Sequence, residues 1–270
     1  MFLNGCSSVF YQPDRYQHYP PEKFGYAHEE FFLTTADNVK LLAWFFPATA
    51  KTPKGTIVQF HGNAENMSSH YLSLKWITER GYNLFAFDYR GYGRSEGEPS
   101  QRGTYLDAIT ALAKAYELNR KTPGARFVVY GQSLGGVIAM RALADFSKER
   151  SVQYLVLDST FLSYKRVARR VLSGNPFTWL FSPLAYVLIS DEYGAEDALR
   201  SNRIPLLVIH DTKDEAVSFA NGEEIFELAS QPKTFWRLEH GGHVQVFRED
   251  APENRAHFVQ LLDAKGPQKE

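Results

Sequence analysis

The pentapeptide Gly131-Gln132-Ser133-Leu134-Gly135 constrains this chain more than any other feature. It follows a short aromatic and β-branched run, Arg126–Tyr130, and opens a segment, Leu134–Phe146, whose apolar residues recur at spacings of three and four. A strand that turns at once into a helix holds the serine between them in strained backbone, and the positions two before and two after it must lack a Cβ. That strain projects the hydroxyl outward, where the free amides and dipole of the new helix favour a forming anion. Gly136 lets the helix lie close to neighbouring strands. A second match, Gly93-Arg94-Ser95-Glu96-Gly97, lacks this setting: the preceding strand ends near Asp88 and Glu98-Pro99 follows instead of a helix. Ser133 is the candidate nucleophile, and Ser95 is read as a loop residue.

Around this turn the chain alternates. Apolar runs Thr56–Phe60, Tyr82–Phe87, Val152–Leu157, Pro205–Ile209 and Thr234–Leu238 are interleaved with amphipathic segments Met67–Arg80, Tyr105–Asn119, Ser218–Ser230 and Ala256–Ala264. Strands alternating with helices predict an α/β fold with right-handed crossovers and a mostly parallel sheet covered by helices on both faces. Two earlier runs, Glu29–Thr34 and Lys40–Phe46, flank an Asp37-Asn38 turn and predict a hairpin that brings the count to eight strands. From Thr160 to Arg200 about forty residues, with Pro176, Phe177, Trp179, Phe181, Pro183 and Tyr186, separate two strands. That is too many for a simple crossover, so a short helical cap insertion over a pocket is expected at about 160–200, with Trp179 and Phe181 lining the pocket. The whole reads as an N-terminal tether over 1–27, one domain over 28–265 and a disordered tail over 266–270.

Composition removes several classes. Thirty Lys and Arg against thirty-one Asp and Glu give no field that steers toward nucleic acid. A single cysteine, Cys6, excludes an intrachain disulfide, a Cys-based zinc site and a CxxC redox pair. Leu3-Asn4-Gly5-Cys6 resembles the lipobox that closes a bacterial lipoprotein signal, so the expectation is a lipid on Cys6, membrane attachment through it and a place in the bacterial cell envelope. The rest of the signal is then expected upstream of Met1. The blander reading is a cytoplasmic N-terminus with an incidental cysteine.

A serine hydroxyl needs a histidine to accept its proton and a carboxylate to fix that histidine's tautomer. His243 in Glu239-His240-Gly241-Gly242-His243 follows the last strand, and its glycines allow a tight loop over the sheet edge; His240 competes. Asp214, four residues past Pro205–Ile209, is the candidate acid, with Asp211 and Asp158 as alternatives that are otherwise turn caps. The order Ser, Asp, His is the one known for the α/β-hydrolase arrangement. An oxyanion hole takes one amide from Leu134 and a second from the loop Phe60–Asn66, where His61-Gly62 aims the Asn63 amide. His61 is expected in the substrate pocket. A zinc reading of His240 and His243 lacks a third ligand.

Together His61-Gly62-Asn63-Ala64, Asp88–Ser95, Gly131–Gly136, Asp214 and Gly242-His243 resemble the serine α/β-hydrolase superfamily from about Glu29 to Leu262. The chain is most similar to its Bem46-like branch and to the serine aminopeptidase-like "hydrolase 4" group, which includes depalmitoylating thioesterases. One departure is Glu65, where that branch usually has Gly; an acidic side chain there would repel negative charge or reshape the pocket. The resemblance implies acyl transfer to water without metal or cofactor. Carboxylic ester cleavage through an acyl-enzyme on a small or acylated substrate, with an apolar acyl group, is the first expectation. A thioesterase or serine peptidase is the alternative, and a non-catalytic membrane-tethered binding protein is the rival from another class.

Overall fold

The computed structural model describes residues 10–173, 182–183 and 185–264. The apolar runs assemble into one eight-stranded sheet: β1 (Glu29–Thr34), β2 (Lys40–Phe46), β3 (Gly55–Phe60), β4 (Tyr82–Phe87), β5 (Arg126–Gln132), β6 (Val152–Asp158), β7 (Leu206–Asp211) and β8 (Lys233–Leu238). Across the sheet their order is β8-β7-β6-β5-β3-β4-β2-β1. Strand β2 runs against both of its neighbours, and every other pair is parallel. The β1–β2 turn closes because Asn38 accepts a left-handed φ of 63° and Thr35 Oγ1 receives the Val39 N–H at 2.9 Å.

Strands β3 and β4 are buried at every residue, as strands covered on both faces must be. Helices α1 (Gln101–Asn119), α2 (Leu134–Asp145) and α4 (Ala220–Leu228) pack on one face, where Leu112, Val137 and Ile225 meet Val58, Val129 and Val208. On the other face α5 (Pro252–Asp263) and the Met67–Arg80 segment set Phe258, Leu262, Tyr71 and Leu74 against Ile57, Tyr130 and Ile209. The single helix expected over Met67–Arg80 is instead two four-residue turns, Met67–His70 and Leu72–Lys75, tightening into 3-10 geometry at Trp76–Arg80. Ser69, Ser73 and Thr78 each donate a hydroxyl to the carbonyl three residues back, which competes with the α ladder.

Between Thr160 and Arg200 the described residues form α3 (Tyr164–Ser173) and two short turns, Ala185–Leu188 and Glu196–Ser201. Trp179, Phe181, Cys6 and the 266–270 tail lie outside the described residues. From Phe10 onward, the segment set apart in the sequence as a tether packs onto the domain. Phe10 and Tyr11 are buried, and Gln12–Pro13 pairs in parallel with Ala64–Glu65. The Phe10 and Tyr11 rings supply apolar surface that holds it there, while Tyr16, Tyr19 and Phe24 stay exposed.

The chain proceeds from β3 to β4 on one side, then returns past β3 to place β5 on the other. At such a reversal the loops leaving the two central strands diverge and open a crevice at the strands' carboxyl ends. Phe60 at the end of β3 pairs with Gly131 in β5, so the Phe60–Asn66 loop and Ser133 flank one crevice. No helix of the described residues is long and apolar enough to cross a membrane.

Candidate active site

Ser133 sits between β5 and α2 with φ 51° and ψ −121°, a conformation that costs a non-glycine residue roughly 1–3 kcal/mol. Its surroundings impose the geometry. The Ser133 amide donates to Asp158 O at 2.9 Å, and Thr160 Oγ1 donates to Ser133 O at 2.6 Å. A Cβ on Gly131 would lie 2.5 Å from Gly136 Cα, and one on Gly135 would lie 2.2 Å from Phe60 O. Ser95, the other sequence match, is fully buried; it accepts the Leu42 amide and donates to Asp88 O, both at 2.9 Å.

The loop after β8 carries His243 past Gly242, whose φ is 78°. His243 Nδ1 lies 2.8 Å from Asp214 Oδ2, the imidazole part-exposed and the carboxylate buried. The other oxygen, Oδ1, accepts the Ala216 and Val217 amides at 2.9 and 2.8 Å, which fixes the carboxylate plane. Burial pushes the Asp214 carboxyl up, but hydrogen bonds from His210, His243 and the Val217 amide outweigh it and hold the group well below the usual range. His210 Nε2 stands 2.8 Å from Val217 O and 3.5 Å from Asp214 Oδ2, so its N–H faces the carbonyl while remaining within reach of the carboxylate.

The competing residues have other occupations. His240 is exposed and accepts from Lys213 at 3.4 Å. Asp211 Oδ1 caps its own turn through the Lys213 amide at 2.7 Å. Asp158 accepts hydroxyls from Tyr130 at 2.7 Å and Ser159 at 3.0 Å, and burial raises its pKa.

Leu134 begins α2, and its amide, like that of Asn63, has no hydrogen-bond partner among the described residues. A Cβ on Gly62 would lie 3.8 Å from Ser133 Cβ, so the loop bearing Asn63 crosses close to the serine. Ser133, His243, Gly62 and Asn63 line one cleft of about 320 Å³. The described residues hold no cluster of side chains suited to a metal ion.

Comparison with known proteins gives this arrangement a lineage. The profile of the serine aminopeptidase S33 family matches residues 51–190. Uncharacterized protein YfhR of Escherichia coli (strain K12) is 33% identical over 246 residues, covering 90% of this chain and 81% of the relative. Protein bem46 of Schizosaccharomyces pombe is 30% identical over 267 residues, covering 92% of this chain and 84% of its own. The chain belongs to the Bem46-like family of α/β hydrolases. An esterase of Pyrococcus furiosus, Pf2001, shares the fold with a TM-score of 0.73 at 21% identity, over 93% of this chain and 96% of that one.

Two features of this Bem46-like site depart from expectation. His61 does not line the cleft; it is fully buried beneath the loop, its ring against those of Tyr89, Tyr92 and His70. Burial and the neighbouring His70 hold its pKa down, and its Nδ1 donates to Gly62 O at 2.8 Å, bracing the loop that carries Asn63 from below. Glu65 adopts φ 58°, a left-handed conformation that glycine takes freely. The Gly expected at this position would take that φ without strain, where this chain holds a strained Glu.

Beside His61 lies Asp88, whose Oδ1 accepts the Met67 amide at 2.7 Å and stands 3.6 Å from His61 Nε2. Burial pushes the Asp88 carboxyl up to about 7. Its folded value lies above the ordinary 3.8, so between those pH values the folded protein binds more protons than the unfolded chain. Its contribution therefore makes stability fall as pH rises from about 4 to about 7 and level off above. Asp88→Asn, which keeps an acceptor for Met67, is expected to raise Tm by several degrees at pH 8 and by little at pH 4.5. Thermal melts across that range measure the gap; a constant gap would refute it.

Proposed function

We propose that this α/β hydrolase cleaves carboxylic esters through an acyl-enzyme on Ser133. The observation that carries the reading is the 2.8 Å contact between His243 Nδ1 and Asp214 Oδ2 in the cleft that also exposes a strained Ser133. With its Nδ1–H given to the carboxylate, His243 presents a bare Nε2 to take the proton of Ser133. Ser133 Oγ attacks the carbonyl, the Leu134 and Asn63 amides receive the oxyanion, and His243 returns the proton to the leaving oxygen. Water, activated by His243, then attacks the acyl-enzyme, forming the acid and restoring Ser133.

Trp179 and Phe181, on which the expected apolar acyl group rests, lie outside the described residues, and the described walls join polar Asn63, Glu65, His70 and Gln132 to apolar Ala64 and Val244. At about 320 Å³ the cleft favours a short acyl group. The test is a fluorophosphonate probe with the adduct located by mass spectrometry, beside p-nitrophenyl esters of two to sixteen carbons and matched thioesters. Labelling confined to Ser133 with fastest turnover of short esters is expected. Unlabelled protein, or equal labelling of Ser133→Ala, would sink the reading in favour of a non-catalytic binding protein.

A further inference from the structure

We infer that residues 10–18 form a strap that positions the oxyanion loop, so that turnover at Ser133 depends on residues remote from any bound substrate. The inference rests on the acyl-enzyme reading above. One end of the strap is fixed in the core. Phe10 meets the Tyr164 ring edge-on at 5.0 Å, and the Tyr11 hydroxyl lies 3.2 Å from Thr104 Oγ1 and 3.5 Å from the Tyr164 hydroxyl, joining α1 to α3. From this anchor the chain runs alongside the loop that carries Asn63.

The contacts fall on the residues that aim that loop. The Gln12 amide donates to Asn63 O at 3.0 Å, and the Asp14 amide to Glu65 O at 3.3 Å. Asn66 Nδ2 donates back to Asp14 O at 3.0 Å and Tyr16 O at 2.7 Å, while the His18 amide reaches Ser68 Oγ at 2.9 Å. Asp14 O also accepts the Gly93 amide at 2.8 Å, tying the strap to the loop after β4. Without the strap, Asn63 O retains only the Tyr92 hydroxyl, at 2.7 Å, among the described residues. The left-handed turn at Glu65 is clamped by the same pairing, with Pro13 opposite Glu65 in register.

An oxyanion donor acts only if it is in place before charge develops, so a loop free to move loses transition-state stabilisation while substrate still binds. Gln12→Pro removes the one amide that holds Asn63 O and leaves the side-chain contacts of the strap alone. Asn66→Asp supplies an independent disruption: it keeps the oxygen that caps Ser68, at 2.9 Å, but turns a carboxylate oxygen on the two strap carbonyls. For both, kcat on a short ester is expected to fall about tenfold, less than the roughly 10²–10³ for losing a donor outright, with KM within twofold. Affinity for a trifluoromethyl ketone, whose tetrahedral adduct carries the oxyanion, should fall by the same factor as kcat/KM. Gln12→Ala, which keeps the amide, should restore the rate.

A purely structural strap would lower Tm and leave the kcat-to-KM split and the ketone affinity of the folded enzyme untouched. Parental kcat in a folded Gln12→Pro or Asn66→Asp variant, or lowered kcat with parental ketone affinity, would overturn the strap while leaving the hydrolase reading intact. Absence of any ester turnover or Ser133 labelling in the parental protein would overturn both.

Discussion

Ser133→Ala is expected to lower kcat for an activated ester by about 10⁶-fold, leaving the residual 10³–10⁴-fold over water that binding and oxyanion donors supply in serine hydrolases. The loss is chemical, with the fold preserved. The Ser133 hydroxyl makes no hydrogen bond to the described residues, whereas its amide and carbonyl hold the turn to Asp158 and Thr160 and are kept by alanine. Alanine carries the same Cβ into φ 51°, so Tm should shift by about a degree or less. Ser133→Gly separates the two properties further: it abolishes turnover equally but relieves the left-handed strain, and Tm should rise. Stopped-flow release of p-nitrophenol together with thermal melts checks all three. Retention of more than a hundredth of parental kcat by Ser133→Ala would move the nucleophile elsewhere.

Much of this site was legible because its parts depend on residue types that only one local geometry explains. Gly131 and Gly135 flank Ser133 because backbone from α2 and β3 occupies the space a Cβ would need, and that requirement is written in the sequence. His243 and Asp214 could be placed after β8 and β7 because alternating runs locate strand ends, and catalytic loops in this architecture leave the carboxyl ends of strands. What was hidden acts through backbone atoms. Gln12 grips Asn63 by its amide, which every residue except proline possesses, so nothing in the side chain marks the strap. The place of His61 departs from expectation for a related reason: a motif fixes its position in the chain, but the rings of Tyr89 and Tyr92, distant in sequence, decide that it packs beneath the loop. Glu65 carried a readable signal in its departure from the expected glycine. Its meaning as a left-handed φ, beyond its charge, required the pairing with Pro13 to be seen.

Asp214→Asn is expected to lower kcat by about 10⁴-fold with KM within a few-fold, because it reverses the tautomer of His243 without moving it. The asparagine oxygen can keep the Ala216 and Val217 amides, leaving its NH₂ to face His243 Nδ1. A nitrogen that must accept there puts the imidazole proton on Nε2, where it can no longer take the proton of Ser133. Asp158 supplies the contrast. It too is a buried carboxylate at a strand end, but its oxygens are taken by the Tyr130 and Ser159 hydroxyls, so Asp158→Asn should reduce kcat less than tenfold. The two also differ in their linkage to pH. The Asp214 carboxyl is held below its ordinary value, so the stability it contributes is present above about pH 4 and is lost as the pH falls through its folded value. Asp158, raised by burial, contributes the opposite slope: stability fully present below the ordinary carboxylate value and lost as pH rises through its folded one. Kinetics of both variants at pH 8, with melts at pH 3.5 and 8, distinguish an orienting acid from a structural one. A drop of 10⁴ in Asp158→Asn with near-parental Asp214→Asn would exchange their roles and place the acid after β6.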